Sequence, residues 1–201
     1  MTNVVFTIGH SNHALESFIE LLHTHHVNAV ADVRSSPYSR FNPDFNREFL
    51  RSALGDRGLV YAFLGRELGA RPANPDCYEE GRVQYKRLAQ TQLFKEGVAQ
   101  LLGDIQTFHV ALLCAEAEPL ACHRTLLLAP ELIALGVDVK HIHADGRLES
   151  HSEAMDRLIE LLGMANHDLY RTKEEIIADA FAIQAKRISY TDEEMREEAS
   201  A

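Results

Sequence analysis

The sequence predicts an α/β fold: a single domain on a mainly parallel, five-stranded Rossmann-like sheet with helices on both faces, then a C-terminal helical extension. Three observations predict it. Short β-branched runs alternate with stretches of helical apolar spacing along most of the chain, the pattern of right-handed βαβ crossovers. The 201 residues suffice for one substantial core, and 46% hydrophobic against 25% charged residues is a globular balance. No apolar run approaches the roughly 20 residues that span a bilayer.

The elements follow in order. Val4 to Ile8 is a β-branched run that stops at Gly9, and residues 14–25 then place Leu15, Phe18, Ile19 and Leu22 on one helical face. Val27 to Val33 repeats the strand signal. Pro37 and Pro43 make 35–43 a loop, and Phe45, Phe49 and Leu50 share the face of a short helix. Leu59 to Leu64 is a third strand, followed by a long irregular loop from Gly65 to Gly81 with Pro72, Asn74 and Pro75. Residues 82–102 return to helical spacing, and Phe108 to Cys114 is the most apolar strand. A helix from Arg124 to Leu135 ends at Gly136, and Val137 to Ile142 is the fifth strand. Residues 150–162 and 173–188 are amphipathic helices, and Asp192 to Ala201 is an acidic, frayed end. Residues 1–165 are thus expected to form the α/β domain and 166–201 the extension.

Charge and cysteine usage bound the function. The formal net charge is −10, which disfavours broad capture of duplex DNA. Yet Arg34, Arg40, Arg47, Arg51, Arg57, Arg66, Arg71, Arg82, Lys86 and Arg87 crowd residues 34–87, so a local anionic or nucleotide-like ligand remains an expected partner. The first residues lack a basic start and a small-residue cleavage site. Three cysteines, Cys77, Cys114 and Cys122, make no disulfide framework and fit a reducing, cytoplasmic compartment.

In an open parallel sheet, ligands bind beyond the carboxyl ends of the strands, where strand order reverses. Here those exits carry Gly9, His10 and Ser11, then Asp32 and Arg34, then Gly65 to Glu67, then Cys114 to Glu116, then His141 and His143. The first and fourth are expected to be neighbours at the reversal. Gly9 permits close approach of a ligand, and Ser11 can cap the next helix. Asp32 and Arg34 can share a face and pair with each other or with a ligand. Cys122, His123 and Arg124 open a helix, placing a thiol, a proton carrier and an anion fork together, with Glu116 as a general base. Cys114 reads as a small core residue. With Leu120 where a cysteine-phosphatase loop needs arginine, that mechanism is disfavoured. No Cys-x-x-Cys pair or His-Glu-x-x-His helix occurs, so no metal ligand is assigned from spacing.

Together these residues resemble the domain of unknown function 488 family. The resemblance rests on Thr7 to Ser11, on Asp32 to Arg34 with Pro37 and Ser39, and on Leu64 to Gly69 with Arg71 and Pro72. It rests equally on Cys114 to Glu116 with Cys122 to Arg124, and on Val139, His141 and Ile142 with Asp145 and Gly146. It implies an α/β fold and a shared polar site on Gly9, His10, Ser11, Asp32, Arg34, Cys114, Glu116, Cys122, His123, Arg124 and His141, without a reaction. The leading expectation is an enzyme acting on a phosphorylated or nucleotide-like substrate. Arg34 and Arg124 would hold the anion, with Gly9, Ser11, Asp32 and His141 around it; His10, Glu116, Cys122 and His123 would carry the chemistry. A noncatalytic nucleic-acid module stacking bases on Tyr38, Phe41 and Phe45, and a thiol or metal site at Cys114 and Cys122, stand as alternatives.

Overall fold

The five expected strands all form, and the connections between them decide where the polar residues meet. A computed structural model describes residues 3–165 and 170–200. In chain order the elements are β1 (Val4–Gly9), α1 (Leu15–Thr24), β2 (Ala29–Asp32), α2 (Arg47–Gly55), β3 (Val60–Phe63) and α3 (Gly65–Leu68). There follow the hairpin β4 (Tyr78–Glu79) and β5 (Arg82–Val83), α4 (Tyr85–Gln90), α5 (Gln92–Asp104) and β6 (Val110–Cys114). The chain ends through α6 (Ala129–Ala134), β7 (Asp138–Ile142), β8 (Leu148–Ser150), α7 (His151–Leu161), α8 (Lys173–Ile188) and α9 (Glu193–Ser200).

The main sheet has six strands in the order β3-β2-β6-β1-β7-β8. All pairs are parallel except β7 with β8. The sixth strand corrects the expectation of five: β8 is three residues long, too short to show a periodicity. β6 also lies between β2 and β1, whereas a Rossmann sheet keeps those two adjacent. As the central strand it is buried along its whole length, because helices cover both faces of a parallel sheet.

Side chains alternate between two cores. Ile8, Val30, Ala111, Leu113 and Ile142 face Phe18, Ile19 and Leu22 of α1 and Leu50 and Leu54 of α2. Val5, Ala31, Val33, Leu112 and Val139 face Leu88, Phe94, Leu101, Leu126, Leu132 and Leu158. Ile176 and Ala180 of α8 join this second core; the expected start of the extension, 166–169, lies outside the described residues. Capping boxes at Ser150 with Glu153 and at Thr172 with Glu175 start α7 and α8.

Three expectations change in detail. The loop from Gly65 to Gly81 holds α3 and half of the β4–β5 hairpin, and the helix expected over 82–102 is divided at Thr91, whose side chain caps α5. The helix from Arg124 opens as a π turn over Arg124–Leu128. Within the acidic end, Glu193–Ser200 is helical as α9. Among the described residues, no helix is long and apolar enough to cross a membrane.

Candidate metal centre at the carboxyl edge

β1 and β6 are neighbours, with Gly9 opposite Cys114. Beyond β1 the chain enters α1 in one core, and beyond β6 it enters the π turn and α6 in the other. His10 and Ser11 prolong the ladder by donating to the carbonyls of Cys114 and Ala115 at 3.0 and 2.9 Å. A Cβ on Gly9 would overlap the Glu116 carbonyl and press on the Arg124 guanidinium, so glycine is required for close backbone approach.

The pleat divides the predicted residues between the two faces of the sheet. On the α1 and α2 side, Asp32 accepts from Arg34 Nε at 2.9 Å and Nη2 at 2.6 Å, and from the Tyr61 hydroxyl at 2.7 Å. Arg34 Nη2 also donates to the Phe45 carbonyl at 2.9 Å. The Asp32–Arg34 pair is therefore closed on itself and buried. His10 stacks on Phe45 with ring centroids 4.4 Å apart. Burial, then the Arg34 charge, lowers its pKa below the usual histidine value. Ser11 adopts a left-handed φ of 42°, and its carbonyl accepts from Asn42 Nδ2 at 2.9 Å.

On the opposite side, Cys114, Cys122 and His123 converge. His123 Nδ1 lies 3.5 Å from Cys114 Sγ and 3.7 Å from Cys122 Sγ. His123 Nε2 is 3.2 Å from the Val33 carbonyl. A carbonyl only accepts, so Nε2 carries a proton toward Val33 and Nδ1 is the ring nitrogen that faces both sulfurs. All three ligating atoms lie within 4.8 Å of one another. Glu116, exposed at the rim, folds its carboxylate back to accept from Cys114 Sγ at 2.9 Å. Burial, then Cys114, pushes the Cys122 thiol well above its ordinary value, opposed by the charge of Arg124. As a free thiol it is thus a poor nucleophile.

Arg124 is fully buried and donates through Nη1 to the Glu116 carbonyl at 2.6 Å and through Nη2 to the Ala117 carbonyl at 2.9 Å. It pins the loop after β6 over the end of β1. His141 is not brought into this group. It sits on the far side of β1, bonded to Thr7 Oγ1 at 2.8 Å and facing His151 Nδ1 at 3.3 Å. Beside it, Glu149 binds His143 and Arg157, each at 2.8 Å or less.

The family model for Domain of unknown function DUF488 matches residues 14–129, more than half of the chain. The chain belongs to that family. The DUF488 match includes Asp32, Arg34, Cys114, Glu116, Cys122, His123 and Arg124, but begins after His10 and Ser11 and ends before His141. No curated protein and no solved structure matches this DUF488 chain. Sequence reasoning missed Phe45 and Tyr61 as partners of the polar edge, and it favoured packing for Cys114 while keeping a thiol or metal site at Cys114 and Cys122 as an alternative. Cys114 at a strand exit and Cys122 beside His123 were the available signal for a ligand set, without a standard spacing to mark it.

Proposed function

We propose that this chain is a metal-dependent enzyme holding a single zinc-class ion on Cys114 Sγ, Cys122 Sγ and His123 Nδ1. One observation carries the reading: the histidine nitrogen stands 3.5 and 3.7 Å from the two sulfurs with its other nitrogen tied to a backbone carbonyl. Tetrahedral zinc with Zn–S near 2.3 Å and Zn–N near 2.0–2.1 Å needs ligand separations of about 3.5–3.8 Å. A backbone carbonyl bonded to the far nitrogen is the usual device that sets the tautomer of a ligating histidine. The buried positive charge of Arg124 beside Cys122 favours thiolate ligands.

Two cysteines and one histidine leave the fourth position for water, as in catalytic zinc sites. Held by Cys114, Cys122 and His123, such an ion would supply Lewis-acid activation of a water, and Glu116 at the rim would be the group placed to accept a proton. Arg34 and Arg124 then serve as positioning groups, because Asp32 and the Phe45 carbonyl hold Arg34 Nε and Nη2, and the carbonyls of Glu116 and Ala117 hold Arg124 Nη1 and Nη2.

Purified full-length protein is expected to carry stoichiometric metal by elemental analysis. Its cobalt(II) form should show intense thiolate charge-transfer absorption that Cys122→Ser weakens. Glu116→Gln should keep that spectrum but shift its pH-dependent change, which reports ionisation of the bound water. Metal at background level, together with no charge-transfer band on adding cobalt, would overturn the reading.

A further inference from the structure

The segment that covers His10 carries a second, outward-facing group of residues. Tyr38 is 56% exposed, Phe41 79% and Phe49 54%. Scattered exposed apolar residues are ordinary; three large aromatic rings within twelve residues are not. Nor is the segment loose. Phe45 is buried against His10, Asn42 is bonded to the Ser11 carbonyl, and Arg34 grips the Phe45 carbonyl. The Tyr38 hydroxyl donates to Glu48 in the first turn of α2 at 2.8 Å, which sets that ring beside the helix bearing Phe49.

The charges around these rings are cationic in an otherwise acidic chain. Between residues 34 and 57 there are five arginines against three acids, although the whole chain has a net charge of −10. Arg40, Arg51 and Arg57 are exposed and form no ion pair among the described residues. Arg40 lies 4.8 Å above the Phe41 ring and Arg47 lies 4.4 Å above the Phe63 ring. Aromatic faces interleaved with unpaired arginines match unstacked bases joined by phosphates. A duplex hides its base faces, and an apolar partner would leave the arginines desolvated and unpaired.

We infer that the surface of Tyr38, Arg40, Phe41, Phe49 and Arg51 binds single-stranded nucleic acid and delivers it to the adjoining carboxyl edge. This deepens the metal-centre reading by naming its substrate class; it rests on that reading for the chemistry and not for the binding.

Fluorescence anisotropy of a labelled single-stranded 15-mer with the full chain tests it, with the matching duplex and heparin as competitors. Single strand is expected to bind more tightly than duplex. The paired variant Tyr38→Ala with Phe41→Ala should weaken binding at least about ten-fold. Arg40→Ala with Arg51→Ala should make the slope of log affinity against log salt shallower by roughly one. Each variant should keep the parent's metal content and Tm. Equal affinity for duplex, or aromatic variants that bind as the parent does, would overturn the inference while metal-replete protein leaves the centre standing. Conversely, strand binding by a chain that takes up no metal would sink the centre and leave this surface in place.

Discussion

Two polar clusters flank β1 at the same edge of the sheet, and they are built on opposite principles. On the β6 side, Cys114, Cys122 and His123 turn three lone-pair donors toward one point. On the β7 side, His141, His151, His143, Glu149 and Arg157 satisfy one another: Thr7 with His141, His141 with His151, and Glu149 between His143 and Arg157. Each contains a buried histidine, His123 in the first and His141 in the second. The difference teaches that histidine content alone does not mark a candidate metal site; three atoms of ligating type turned toward one point do.

The comparison breaks most visibly at the histidines. His123→Ala is expected to reduce bound metal to background by elemental analysis, whereas His151→Ala should leave it stoichiometric. Next in size, Gly9→Ala forces a methyl group into the Glu116 carbonyl. It should cost about 2–3 kcal/mol in urea unfolding and weaken metal retention, since that carbonyl belongs to the loop between Cys114 and Cys122. Arg157→Ala leaves Glu149, only 3% exposed, without its cation. The arginine itself is partly solvated, so a loss of about 2 kcal/mol is expected, and because it also holds Glu118 at 2.8 Å in the loop between Cys114 and Cys122, weaker metal retention should accompany it.

The acid response sharpens the contrast further. Burial, then its neighbour His151, lowers His141 to about 3, and burial lowers His151 to about 4, from an ordinary 6.5. Between those values the unfolded chain binds protons that the folded chain refuses, so stability falls as pH drops from about 6.5 toward 4. Urea midpoints measured from pH 7 to pH 4 should decline, and His151→Gln should flatten the decline. The smallest effect belongs to the exposed rings. Tyr38→Ala should shift stability by no more than about 0.5 kcal/mol in the same assay, which separates its expected role in binding from any role in folding.

The strands were legible because short β-branched and apolar runs recur between helical stretches, and Val110–Cys114 most of all, since a central parallel strand is apolar on both faces. The carboxyl edge was legible too, because each exit carries polar residues that a core would exclude. What proximity in sequence left undecided was the state of the polar pair. Asp32 and Arg34 read as able to pair with each other or to take a ligand; they pair, and the Phe45 carbonyl and Tyr61 complete the group. Those partners lie 11 residues from Arg34 and 29 residues from Asp32, and no local pattern announces them.

By itself, then, the sequence determined an α/β fold, the strands and their polar exits, and the concentration of thiol, imidazole and carboxylate from Cys114 to Arg124. Those are properties of periodicity and composition, which act within a few residues. Tertiary structure alone decided that β6 would lie between β2 and β1, that His141 would fall on the far side of β1, and that the Val33 carbonyl would hold His123 Nε2. The last of these turns Nδ1 toward two sulfurs. Strand order and register are settled by non-local pairing, so the hydrogen bond that orients the histidine exists only once the sheet has assembled.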